Sequence, residues 1–193
     1  MANRFQAFLF RTRGIYLFVS LIGSMALKGY LGGTTPRLFF VVGIFWVSLV
    51  QAFRVYAAAY LWGRQAVTTV GADFLCTNGP YAHLRNPFYL GNFLIGIGIC
   101  LMINVWYAYV LFGASYAFVY SVVIPYEEQF LEEKFGKAYA DYKAATPRLI
   151  PRLTAYRGGG NVIPDYRAGI LGELHVPIFL IIVISIAYAL FAR

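Results

Sequence analysis

Apolar residues gather into five long runs, at 14–31, 38–62, 88–103, 105–125 and 175–192, divided by more polar stretches. A helix needs ~20 apolar residues to cross ~30 Å of hydrocarbon. The pattern therefore predicts an all-α, polytopic membrane protein of about five transmembrane helices. Residues 1–13, basic and aromatic, predict a short interfacial lead-in. Gly32-Gly33-Thr34-Thr35-Pro36 reads as a turn after the first span. Asn104 alone parts the third run from the fourth, which calls for a tight antiparallel hairpin or one bent element. Residues 127–145 are amphipathic. Phe130, Leu131, Phe135, Ala138, Tyr139 and Tyr142 recur at helical spacing, and Glu133 and Lys137 form an i,i+4 pair on the other face. That helix is expected at the membrane interface.

Two places break the pattern. Arg54 lies inside the second run, where a guanidinium costs ~2.5 kcal/mol or more unless it snorkels or faces a polar cavity. The connection 63–87 is polar and 25 residues long, more than a structureless loop needs, and so suggests function.

Composition agrees with the membrane assignment. Only 12% of residues are charged, against the quarter or so usual in soluble domains, and 19% are aromatic, which suits bilayer interfaces. The net charge of +8 does not point to nucleic acid, because the cations sit between apolar runs and not on one polar face. With a cytosolic N-terminus, 12 of the 16 Lys and Arg fall in inner segments, three in outer segments, and Arg54 in a span. The positive-inside rule then places residues 63–87 and 127–174 at the cytosolic face. Cys76 and Cys100 have no metal-type spacing, and no metal site is expected. The first run reads as a retained span and not as a cleaved signal.

Candidate chemistry lies in two polar blocks. Arg85-Asn86-Pro87 stands at the mouth of the third run, where Pro87 suits a first helical turn, the following N–H groups can receive an anion, and Arg85 offers a fork for a carboxylate. Glu127 and Glu128 follow Pro125 and can accept from an amine or from ribose hydroxyls. A zwitterionic, ribose-bearing ligand held between Arg85 and the acid pair would satisfy both; S-adenosylmethionine is such a ligand. Plainer readings stand beside these. Arg85 can anchor a span, Glu127 and Glu128 can be a solvated helix start, the tyrosines can be interfacial, and Arg148 and Arg152 can meet lipid headgroups. Gly96-Ile97-Gly98 is read as close helix packing, and His175 as a capping or interfacial residue.

Gly79-Pro80-Tyr81, Leu84-Arg85-Asn86-Pro87-Phe88-Tyr89-Leu90-Gly91, Glu127-Glu128, Phe135-Gly136 and Pro147-Arg148-Leu149-Ile150-Pro151 together resemble the integral-membrane methyltransferases. That group includes the isoprenylcysteine carboxyl methyltransferases and the phospholipid methyltransferase-like proteins. The resemblance covers about residues 70–152 of one membrane-embedded domain, 1–193, with an extra C-terminal span at about 174–192. It implies S-adenosylmethionine in a cytosol-facing pocket, S-adenosylhomocysteine as product, and a lipidic acceptor entering from the bilayer. Tyr81, His83, Arg85, Asn86, Pro87, Tyr89, Gly91, Glu127, Glu128, Tyr139 and Tyr142 are then the candidate cofactor residues, with Arg148 and Glu128 catalytic. The isoprenylcysteine enzymes usually carry His where this chain has Asn86. Asn does not titrate near neutrality, so proton handling at that position is in doubt, and His83 is the nearby substitute. The rival class is a non-catalytic transporter subunit or scaffold, which Arg54 would suit. The acceptor and the oligomeric state are left open.

Overall fold

The computed structural model describes residues 4–62 and 71–191. Among them are seven α-helices: α1 (Arg4–Leu31), α2 (Arg37–Tyr60), α3 (Pro87–Ile103), α4 (Trp106–Phe135), α5 (Lys137–Ala145), α6 (Tyr166–Glu173) and α7 (His175–Phe191), with one 3-10 turn at Gly79–Ala82. The chain is all-helical and membrane-integral. Residues 63–70, the first part of the long connection, lie outside the described residues.

By length and composition α1, α2 and α4 can each cross a membrane, and α6 with α7, bent by 41°, add a fourth if the pair is one broken span and not a re-entrant loop. This differs from the five spans expected. Helix α3 has only 17 residues, or about 25 Å at 1.5 Å per residue. It is stopped by Asn104, whose left-handed φ of 53° turns the chain directly into α4. The result is the antiparallel hairpin. Phe93 stacks on Phe112, Tyr89 meets Tyr120 and Phe93 meets Tyr116 in tilted contacts, and the Tyr116 hydroxyl donates to the Tyr89 carbonyl at 2.9 Å.

Three boundaries differ from the sequence pattern. The lead-in is no separate element, because α1 starts at Arg4 and runs unbroken through Gly14. Pro125 does not end the fourth span; α4 passes through it to Phe135, giving up only the bond its missing N–H would have made. The break falls at Gly136, whose φ of +53° favours glycine, so the amphipathic stretch divides between the end of α4 and α5. Lys143 pairs with Glu132 at 2.8 Å across this bend, while Glu133 accepts from Gln129 and not from Lys137.

Glycines allow the helices to approach closely. A Cβ on Gly96 would meet the Phe112 ring, and one on Gly43 would lie 2.9 Å from the Gly98 carbonyl, so the Gly96-Ile97-Gly98 stretch is a packing seam. At the end of the bundle away from the polar blocks, Lys28 is buried and donates to Thr35 Oγ1 and, at 2.6 Å, to the Ile103 carbonyl. The Thr35 N–H donates to Phe191 O at 2.8 Å, and the Lys28 ammonium lies over the Phe191 ring. One knot therefore joins the far ends of α1, α3 and α7.

Candidate functional site

The two polar blocks meet, and main-chain bonds fasten them. The Arg85 N–H donates to Pro147 O, Arg152 N–H to His83 O and Tyr156 N–H to Ala82 O. The Asn86 side-chain amide donates to Arg148 O at 3.1 Å, and the Tyr142 hydroxyl to Tyr81 O at 2.7 Å. The turn before α3 and the loop after α5 thus form one cap over the ends of α3 and α4.

Arg85 and Glu128 do not face each other across a space for a ligand. They are bonded to one another. Arg85 Nε and Nη2 both donate to Glu128 Oε1, at 3.1 and 2.8 Å, while Nη1 reaches the carbonyls of Lys143 and Thr146. Four of its five N–H donors are engaged, so the fork is not open to a ligand carboxylate. Arg148 closes on the same acid, Nε to Oε1 at 3.1 Å and Nη2 to Oε2 at 2.7 Å. Glu128 is 3% exposed. Its role in this geometry is a clamp joining the turn, α4 and the loop.

Beside the clamp lies a cleft of about 140 Å³. Of the candidate residues, Tyr81, Arg85, Asn86, Pro87, Tyr89, Glu127, Tyr139 and Tyr142 line it. Glu128, Arg148, His83 and Gly91 do not. The His83 Nδ1–H donates to Arg152 O at 2.8 Å and so holds the loop. Gly91 makes room for another residue, since a Cβ there would stand 2.7 Å from Arg54 Cγ. Glu127 accepts from the Tyr89 hydroxyl at 2.6 Å, which leaves most of its acceptor capacity available. The hydroxyls of Tyr81 and Tyr139 are buried without a hydrogen-bond partner, an arrangement that normally costs stability. Burial raises the pKa of both, and of Tyr142, above the usual phenol value, so they stay protonated donors. Burial likewise pushes the Cys76 thiol in the cleft wall up to about 11.

A second cavity, about 520 Å³, lies in the apolar part of the bundle among α1, α2, α3, α4 and α7. Leu17, Leu21, Ile95, Ile99 and Leu180 form its depth, and Arg11, Arg13, Asn92 and His175 its polar end. Arg13, Phe88 and Tyr89 line both spaces. Arg54 in its wall neither snorkels nor stands open. Nε and Nη2 pair with the two oxygens of Glu173 at 2.8 and 3.1 Å, and Nη1 reaches Phe88 O and Asn92 Oδ1.

The sequence reading missed Arg13, Phe88 and Glu173. A signal existed for Glu173, an acid beside the last apolar run that could answer the lone Arg54. Phe88 lay inside the quoted motif, and nothing in the pattern singled out Arg13.

The sequence model of the phospholipid methyltransferase family matches residues 36–138, over half of the chain. The chain belongs to that family. Among similar proteins, the cobalt-zinc-cadmium resistance protein CzcN of Cupriavidus metallidurans is 34% identical over 127 residues, which is 66% of this chain and 56% of that protein. The protein-S-isoprenylcysteine O-methyltransferase of Schizosaccharomyces pombe is 32% identical over 79 residues, 41% of this chain and 34% of that one. Its namesake in Dictyostelium discoideum is 37% identical over 80 residues, 41% and 33% of the two chains. The chain spans about half the length of these relatives, or less. No solved structure matches. Among the described residues no three His, Cys, Asp or Glu stand together as metal ligands.

Proposed function

We propose that this chain is a membrane methyltransferase that holds S-adenosylmethionine in the polar cleft and methylates a lipidic acceptor seated in the apolar cavity. The observation that carries the reading is the shared wall. The cleft that holds Arg85, Glu127 and the tyrosines and the larger cavity whose depth is Leu17, Leu21 and Ile99 meet at Arg13, Phe88 and Tyr89, as a transfer between a polar donor and a lipid requires.

The cleft fits the cofactor by its own chemistry. Two buried hydroxyls without partners, Tyr81 and Tyr139, offer donors, and Glu127 offers an acceptor. Phe74, Phe88 and Leu131 supply apolar walls suited to a purine. When bound, the cofactor supplies an activated methyl group on a sulfonium. The chain contributes alignment and exclusion of water at the shared wall. The Arg85–Glu128–Arg148 clamp keeps the turn and the loop in register around the cleft and holds no ligand itself. A carboxylate acceptor has no proton to lose, while an amine must give one up; of the two cleft carboxylates, Asp73 and Glu127, Glu127 is the one bonded to Tyr89 of the shared wall and is assigned to take it.

The rival reading as a transporter subunit drew on Arg54 as a lone charge in a span. In the structure Arg54 pairs bidentately with Glu173 and is not a lone charge; the calorimetry below separates the enzyme from a non-catalytic transporter subunit or scaffold.

Calorimetry of the purified protein in detergent with S-adenosylhomocysteine tests the cleft. Saturable binding is expected, and its absence from well-folded protein sinks the proposal. Labelled methyl transfer to a membrane extract, followed by base, then separates the chemistries, since a methyl ester releases methanol and an N-methyl product does not.

A further inference from the structure

Four side chains form a one-way chain of hydrogen bonds through the wall of the larger cavity. Arg54 Nε and Nη2 donate to the Glu173 carboxylate at 2.8 and 3.1 Å, and Nη1 donates to Asn92 Oδ1. Asn92 Nδ2 then donates to the Tyr120 hydroxyl oxygen at 2.8 Å. Each link forces the next. A guanidinium has donors only, so the Asn92 atom that meets it is the oxygen, and the amide nitrogen turned toward Tyr120 also only donates. The Tyr120 oxygen must accept. Its own proton is therefore left over, as is the second amide hydrogen of Asn92.

Among the described residues no acceptor takes the Tyr120 proton. The side chain is 3% exposed, and it lines the cavity beside Asn92. The other polar groups there are engaged or stand outside. Arg13 donates to the Phe10 carbonyl and lies over the Phe10 ring, the Tyr89 hydroxyl goes to Glu127, and Arg11 and His175 are exposed. The Tyr120 ring lies 4.7 Å from the Tyr89 ring, and Arg54 Nη1 also reaches Phe88 O at 3.3 Å. Tyr89 and Phe88 belong to the wall that cavity and cleft share. The unspent donor thus stands beside the place where a methyl group would cross.

We infer that Tyr120 is a specificity-determining residue whose O–H donates to an oxygen of the acceptor's headgroup, a carboxylate or a phosphate, in preference to an ammonium group, which has no lone pair to offer. Asn92 and Arg54 are positioning residues. They occupy the phenol oxygen and so direct its proton to the ligand. The inference rests on the methyltransferase reading for the cavity being the acceptor's seat. Glu173, the first link, lies beyond the residues 36–138 matched by the family model, so α6 supplies the anchor of the chain.

The test uses the full-length protein in detergent and three probes with one tail, hexadecanoate, hexadecyl phosphate and hexadecylamine, with affinities read by calorimetry at neutral pH. Tyr120→Phe removes only the O–H. It should weaken hexadecanoate, hexadecyl phosphate or both about tenfold and leave the amine as it was. A loss confined to the carboxylate or to the phosphate supports the inference and names the headgroup. An equal loss for all three probes marks a merely structural role and overturns it, as does no loss for any. Tyr120 replaced by difluorotyrosine, a stronger donor of nearly the same shape, should tighten the probes that Tyr120→Phe weakens. That arm decides the matter if Tyr120→Phe does not fold, and unchanged or weaker binding of both anions there overturns the inference. Failure of the wild type to bind S-adenosylhomocysteine would remove the methyltransferase reading instead, and the three probes would still decide the role of Tyr120.

Discussion

Tyr81 and Tyr139 carry hydroxyls into the cleft wall with nothing to bond. A buried hydroxyl in that state costs roughly 1–3 kcal/mol, a cost that ligand binding can offset. Tyr81→Phe and Tyr139→Phe should therefore each raise the melting temperature of the free protein slightly. Each should also weaken S-adenosylhomocysteine binding about tenfold. Calorimetry and thermal unfolding on the same preparations check the pair, and a variant that loses stability and keeps affinity contradicts this assignment. At this scale the sequence brought out eight of the residues that line the cleft, because Tyr81, Asn86, Tyr89 and Glu127 sit in compact polar motifs beside apolar runs. It could not say which charges face a ligand and which face each other. The engagement of Arg85 by Glu128 depends on α4 continuing through Pro125 so that Glu128 falls within the next turn, and a proline in a sequence ordinarily marks an end.

Between elements, Glu128 joins three segments through one carboxylate. Glu128→Gln leaves Arg85 almost buried without its acid, a change of the kind that costs about 3–5 kcal/mol. Arg148→Gln should cost under 1 kcal/mol or so, because that guanidinium is 47% exposed and screened. Chemical unfolding in detergent should rank the two in that order. S-adenosylhomocysteine affinity should survive in whatever fraction of Glu128→Gln stays folded. Loss of binding by a fully folded Glu128→Gln would return the residue to the ligand. The number of apolar helices was legible, but their use was not. Helix α3 is cut short by Asn104, and α6 was hidden because Tyr166–Glu173 carries no long apolar run.

Across the whole molecule a polar thread crosses the bundle from Glu173 on α6 to Arg54 on α2, Asn92 on α3 and the Tyr120 hydroxyl on α4. Glu173 is 0% exposed and Arg54 5%, so each is tolerable only with the other. Arg54→Met or Glu173→Met alone should destabilise by about 3–5 kcal/mol, and the double variant by clearly less. A double-mutant cycle in thermal unfolding checks this, and strictly additive losses would disprove the coupling. Gly91 belongs to the same thread, since only an absent Cβ admits the Arg54 stem.

The knot of Lys28, Thr35, Ile103 and Phe191 has a mechanical consequence. Helices α1 and α7 run side by side and are pinned there at one end, so they can part only as the arms of a compass do, about that hinge. A spread about that hinge would be greatest toward Arg13 and His175 and least at the knot. Spin labels should report a broader distance distribution for the pair 18/179 than for the pair 29/190, and equal breadths would remove the hinge.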